Sequence, residues 1–399
     1  MYSLLLAIIY VAFISLGLPD SLLGSAWPIM QVELDAPISY AGIITMMISA
    51  GTILSSLFSD RLTKKFGAGL VTAVSVATTA VAMLGFSLST AFWQLCIWTI
   101  PYGIGAGAID AALNNYVALH YSSRHMSWLH SFWGLGTIIS PYIMGACLAG
   151  PHGWVGGYRT VFFIQVALST VLFISLPLWK KRGSEDGGEK QENAKPLTFR
   201  QILGISGVPL VMVAFCCYCA AEQTALLWAS SYFVEFRGVP EETAARLASL
   251  FCIGITLGRF VCGFVSERLG DRKLIRMGIA VILVGAVLIL LPVSFHAVAL
   301  VGFVLIGLGC APIYPSIIHA TPSNFGAENS QAVIGVEMAS AYVGTTLFPP
   351  LFGLIAQHIS VGLLPVYIIV ISLFMLLCSE CLNRKVDKKH RTYKGGSLF

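Results

Sequence analysis

The chain has 399 residues, of which 56% are hydrophobic and 11% charged, and its mean hydropathy is +0.81. No water-soluble fold needs that much apolar surface, so the composition excludes a soluble enzyme or a nucleic-acid-binding module and makes lipid the solvent. The formal net charge of +5 does not signal an anionic partner, because almost all the basic residues lie in short connections between apolar stretches.

Windows of about 19 residues place twelve spans near 4–30, 39–58, 68–88, 92–120, 127–149, 159–179, 208–234, 245–265, 276–294, 297–319, 331–356 and 361–381. The apolar start, Met1 to Leu18, lacks a positive flank and a cleavage site, so it reads as the first span and not as a signal peptide. With a cytoplasmic N-terminus, 20 of the 24 Lys and Arg fall on the cytoplasmic side and only Arg159, Arg237 and Arg246 on the other. That asymmetry makes both termini cytoplasmic, in a bacterial inner membrane or a plasma membrane. A polar stretch from Lys180 to Pro196 reads as a flexible linker and splits the spans six and six. The expected organisation is a first bundle over 1–179, a linker over 180–207, a second bundle over 208–383 and a basic tail over 384–399. Ten cysteines, all in apolar stretches, read as free, buried thiols.

The halves repeat. Gly51, Ser59, Asp60, Arg61 and Leu62 recur as Gly258, Ser266, Glu267, Arg268 and Leu269 at an offset of 207. Gly103 and Gly105 recur as Gly307 and Gly309 at 204, and Gly136 with Pro141 as Gly344 with Pro349 at 208. The fold expected is all-α, twelve transmembrane helices in two pseudo-symmetric six-helix bundles, with the solute path between them. Gly263, Glu267, Arg268, Gly270, Arg272 and Lys273 resemble the cytoplasmic signature of the major facilitator superfamily, and Asp60, Arg61, Lys64 and Lys65 an earlier copy that departs by Ser56 for the first Gly and Thr63 for the second. Thr63 stands where the Glu267 copy has Gly270, which predicts a looser turn. Three further pieces resemble the fucose permease and sodium-glucose transporter-like branch: Gly17, Pro19, Asp20, Trp27 and Pro28; Gly107, Asp110 and Asn114; Trp128, His130, Trp133 and Gly134.

A carboxylate deep in a bilayer needs a partner, a proton or water. Asp20, Asp110, Glu222 and Glu337 lie within spans, either as helix fasteners or as members of a cavity. Helical spacing puts Gly17, Asp20, Gly24 and Trp27 on one face of span 1, and Gly103, Gly107, Asp110 and Asn114 on one face of span 4. Glu222 with Trp228 is a rough counterpart of Asp20 with Trp27. The expected substrate contacts are Asp20, Glu222, Asn114, Asn115, His130, Trp27, Trp133, Tyr218, Trp228 and Tyr314, with the aromatics stacking on a sugar ring. Asp20, Asp110, Glu222 and Glu337 are the candidates for coupling to H+ or Na+; a desolvated carboxylate can cycle a proton, and an ionised one can hold sodium. Arg259, the one basic residue inside a span, either snorkels to the cytoplasmic surface or pairs with a neighbour, Glu337 being one choice. Trp93, Trp154 and Trp179 read as interface anchors. The family resemblance implies that Asp60, Arg61, Glu267 and Arg268 gate the cytoplasmic side.

The expected function is secondary active transport of a small polar solute, a hexose or related sugar, by a cation symporter working as a monomer without a cofactor. The alternative is an exporter of amphipathic organic compounds, favoured if Met46 and Met47 line an apolar cavity. No phosphate-cradling loop supports an ATP-driven pump and no nucleophile elbow a membrane enzyme.

Overall fold

The computed structural model describes residues 2–37, 40–185, 197–239, 241–291 and 296–395. Fourteen helices carry the described chain: α1 (Tyr2–Asp20), α2 (Leu22–Glu33), α3 (Tyr40–Phe66), α4 (Ala68–Leu88), α5 (Phe92–His120), α6 (Ser123–Leu148), α7 (Gly153–Glu185), α8 (Phe199–Gly204), α9 (Val208–Ser231), α10 (Glu241–Leu269), α11 (Asp271–Leu290), α12 (His296–Phe325), α13 (Ala327–His358) and α14 (Leu364–Gly395). No strand occurs among the described residues. Among the described residues, eleven stretches, with α1 and α2 taken together, are long and apolar enough to cross a membrane. The remaining expected span, 245–265, falls in α10, which runs 29 residues.

The first span is not one helix. Pro19 lacks an amide proton, so the carbonyl of Ser15 one turn back loses its partner, and α1 ends at Asp20 before α2 starts at Leu22. The released Ser15 carbonyl accepts from Gln165 Nε2 at 3.1 Å. The expected linker is more ordered at its edges than its composition suggests. Helix α7 continues to Glu185, and Thr198 and Gln201 form a reciprocal cap that starts α8. Gly187, Gly188 and Pro196 of that linker lie outside the described residues. The expected basic tail is, up to Gly395, the last part of α14.

The chain separates into two compact units, Met1–Val117 with Trp128–Leu197 and Ala118–Ser127 with Thr198–Phe399. Residues Ala118–Ser127 therefore side with the second unit, although they join α5 to α6. Within each unit the recurring glycines mark close helix crossings. A side chain at Gly103 would meet the Ile48 carbonyl of α3, and one at Gly105 the Ser75 carbonyl of α4 at 2.8 Å. In the second unit Gly307 would meet the Phe251 carbonyl of α10 at 2.7 Å, and Gly309 the Gly278 carbonyl of α11 at 2.6 Å. Two glycines two residues apart point to nearly opposite sides of a helix, so each pair lets one helix wedge between two neighbours.

The turn after α3 is as tight as that after α10, contrary to the expectation from Thr63. Gly67 (φ 77°) and Gly270 (φ 76°) close the two turns in the same left-handed region. The Gly67 amide donates to the Thr63 carbonyl at 2.8 Å and the Gly270 amide to the Ser266 carbonyl at 2.9 Å. The loop glycine missing at Thr63 is supplied four residues later, one helical turn on.

Candidate functional site

Asp20 sits where α1 ends, exposed on one side. Its Oδ1 accepts from the Tyr102 hydroxyl of α5 at 2.7 Å and its Oδ2 from Trp133 Nε1 of α6 at 2.9 Å. The approach is close because Gly17 packs on the Trp133 carbonyl and Gly136 on the Ile14 carbonyl, where any Cβ would clash. Both donors are neutral, so the carboxylate is oriented without being neutralised. Hydrogen bonds to a charged group contribute about 1.5–3 kcal/mol each. Trp27 does not share this cluster's helix. The break at Ser21 puts it on α2, where it is buried edge-on against Phe92 at 6.4 Å.

A second, buried chain lies in the same unit. Asn114 Nδ2 donates to Asp110 Oδ1 at 2.7 Å, and Asn114 Oδ1 contacts His130 Nε2 at 3.1 Å. Because the Asn114 amide nitrogen donates to Asp110, its oxygen is the atom left to accept, which suits the His130 tautomer with a proton on Nε2. Phe13 closes over the His130 ring edge-on at 5.5 Å. Asn115 is buried beside this chain in sequence.

The second unit arranges its acid differently. Arg259 Nη2 reaches Glu222 Oε1 and the Tyr218 hydroxyl, each at 3.2 Å, and the guanidinium lies 5.8 Å from the Tyr314 ring centre. Arg259 is 3% exposed and Glu222 8%. Arg259 thus neither snorkels nor pairs with Glu337: α10 carries its guanidinium inward, where Glu222 supplies the compensating charge. Glu337 is fully buried and its carboxyl oxygens both lie 2.9 Å from the Thr321 hydroxyl. Tyr314 contacts Met338 Sδ at 3.3 Å, and Trp228 donates to the Pro349 carbonyl at 3.0 Å. Tyr218 and Asn114 are 0% exposed, so neither meets solute in this conformation.

Helix crossings align the two acids. Gly136 seats on Ile14 and Gly344 on Cys216. Asp20 follows Ile14 by six positions and Glu222 follows Cys216 by six, so the two carboxylates share a register.

The four loop charges separate. Asp60 is buried, pairs with Lys64 at 2.9 Å and accepts from the Leu197 amide at 3.3 Å, while Arg61 lies over Phe58. Glu267 is exposed and holds Ser122 at 2.7 Å and Arg124 at 2.8 Å; Arg268 is exposed. His319 joins Asp271 at 2.7 Å and bonds the Tyr121 backbone, a second grip on the same segment. Two of the expected anchors are packing residues instead. Trp154 is buried and donates to Glu33 at 2.6 Å, and Trp179 is buried against Tyr116 and Gly69. Trp93 is 61% exposed. The cysteines described are free, but Cys96, Cys147, Cys216, Cys262 and Cys381 are only partly buried.

Two partners of the acids, Tyr102 and Thr321, are absent from the expected site residues. Tyr102 lies off the Asp110 face of α5, whereas Thr321 sits seven residues after Tyr314, two turns along one face, a spacing that marks it.

The sequence profile of the Major Facilitator Superfamily matches residues 9–300 and 238–395. The chain belongs to that superfamily. This major facilitator protein is 22% identical to the glucose/mannose transporter GlcP of Bacillus subtilis, over 77% of each chain. It is 22% identical to multidrug resistance protein 2 of the same organism, over 89% of this chain and 88% of that one. The crystal structure of the major facilitator transporter FucP in its outward conformation superposes with a TM-score of 0.77 at 15% identity, covering 94% of this chain and 98% of FucP. At that identity the likeness establishes the all-helical fold, and it is the family profile that makes the chain a multi-pass membrane transporter.

Proposed function

We propose that the chain is a secondary active transporter of a small polar solute, a hexose or related sugar, driven by a proton or sodium gradient through alternating access. The observation that supports it is Asp20, an exposed carboxylate within a span, aimed by a hydroxyl and an indole N–H that leave its charge intact. Such a group can accept two sugar hydroxyls or hold a coupling cation, and Trp133 beside it offers a ring to stack on a pyranose face. Asp110, Asn114 and His130 form a buried hydrogen-bonded cluster in which Asp110 is a candidate proton carrier, and Glu337 is a further acid for coupling. The loop charges act as a cytoplasmic gate: Glu267 grips the segment carrying Ser122 and Arg124, while Asp60 ties the linker through Leu197. Both termini are cytoplasmic, from the charge asymmetry of the loops. GlcP favours the sugar reading and multidrug resistance protein 2 the exporter of amphipathic compounds. Met46 is exposed on α3 and available to an apolar ligand. The test is uptake by reconstituted protein: accumulation of labelled glucose or mannose under a proton or a sodium gradient is the expected result. No accumulation of any sugar under either gradient, with efflux of a lipophilic cation instead, selects the exporter.

A further inference from the structure

We propose that His319 is a proton-operated clasp on the connection between α5 and α6: the protonated ring holds Asp271 and the Tyr121 carbonyl at once, and loss of the proton releases one of the two. This deepens the reading of the loop charges as a gate and rests on that reading only for its effect on transport.

The segment Ala118–Ser127 packs with the second unit, so the contacts concerned lie within one compact body. It is held at three points, Tyr121 by His319 and both Ser122 and Arg124 by Glu267. Of these side-chain types only an imidazole ordinarily changes charge between about pH 5 and 8.

The geometry asks for a charged ring. His319 Nδ1 meets Asp271 Oδ2 at 2.7 Å, and the ring also bonds the Tyr121 backbone. Tyr121 stands just past the end of α5, where helix carbonyls run out of amide donors and a cation is favoured. A carboxylate and a carbonyl both accept, so each bond needs an N–H from the ring. A neutral imidazole has one and the imidazolium has two. Asp271, the first residue of α11, depends on this ring: among the described residues its other oxygen, Oδ1, is buried without a hydrogen bond. A carboxylate so enclosed needs a cation beside it. The side chains of His319 and Asp271 are 22% and 16% exposed, so water can carry the proton to and from the pair.

No other charge on the packed elements takes the place of this one. The segment brings Arg124, which Glu267 of α10 engages, and the imidazoles of His120 and His125, the latter edge-on to Tyr121. Arg272 of α11 bonds Asp387 of α14, while Arg268, Lys273 and Glu328 are exposed. Thr321, two residues on and turned to the opposite side of α12, faces Glu337 of α13. Helix α9 has no charged residue between Val208 and Ala221.

The experiment is hydrogen–deuterium exchange of the purified full chain in lipid nanodiscs at about pH 5.5 and about pH 8, with exchange times scaled to the intrinsic amide rate. The expected result is protection of 118–127 about tenfold or more lower at the higher pH, with the turn at Gly67, which has no histidine near it, unchanged. His319→Gln should show the lower protection at both pH values, and the double variant His120→Gln with His125→Gln should keep the wild-type response. Should His319→Gln fail to fold, the double variant carries the test, and loss of the response there overturns the clasp. Equal wild-type protection at both pH values, a response that survives in His319→Gln, or an equal loss at the Gly67 turn also overturns it. The expected exchange pattern with transport rates alike in wild type and His319→Gln supports the clasp and removes the gate reading.

Discussion

Asp20 and Glu222 occupy the same place on equivalent helices, yet one is exposed and held by neutral donors while the other is buried against an arginine. The offsets of the repeat explain how. Tyr102 and Trp133, which aim Asp20, correspond to Ile306 and Ala341; Asn114 and His130 correspond to Ile318 and Met338; Arg259 corresponds to Thr52. The backbone crossings are kept, because a glycine that seats on a carbonyl cannot be replaced without moving two helices. The side chains around them are free to diverge. Duplication has thus preserved the frame and given its halves different chemistry, a polar cluster in one unit and an aromatic-walled ion pair in the other.

That contrast can be broken at four points, with effects that should fall in this order. Glu222→Ala removes the carboxylate opposite the buried Arg259 and should cost about 3–5 kcal/mol; the double variant with Arg259→Ala should recover most of it, read as thermal stability in detergent. Equal losses in single and double variants would mean the pair is not coupled. Asp20→Asn should lower transport about tenfold to a hundredfold, with a stability loss of only about 1–2 kcal/mol, since amide acceptors remain for Tyr102 but charge assistance is gone. Expression and transport falling together would make Asp20 a helix fastener. Gly136→Ala should destabilise by about 1–3 kcal/mol through its clash with the Ile14 carbonyl, whereas Gly24→Ala, with nothing within 4 Å, should be neutral or stabilising; melting temperatures of the two decide it. Glu267→Gln breaks an exposed pair of about 0–1 kcal/mol, enough to change transport rate up to about fivefold without altering substrate ranking, measured by initial rates on several sugars.

The loops after α3 and α10 show how a motif match can mislead about position. Asp60 and Glu267 align by the offset of 207, but the turn glycines Gly67 and Gly270 align by 203, close to the 204 of the next helix pair. Helix α3 is therefore one turn longer past the motif than α10. Asp60 is buried one turn further from its turn, while Glu267 sits at the exposed end. The change in offset was already present between the recurring glycines and needed only to be placed in the loop. Other features left no such trace. Whether Arg259 turns toward Glu222, Glu337 or the surface depends on helix rotation, which spacing along a single span does not fix. Trp154 and Trp179 look like interface anchors because they stand near span ends, yet Glu33 and Gly69 from other helices bury them.

Composition, span length and repeated glycines determined the solvent, the helical class and the duplication, because each follows from a local requirement: crossing hydrocarbon with every backbone group satisfied, or letting two helices touch. The pairing of charges was decided only in three dimensions. Asp20 finds its donors 82 and 113 residues away, and Glu222 its arginine 37 residues away. Partners at those separations are chosen by the packing of helices against one another, and that packing is a property of the assembled bundle.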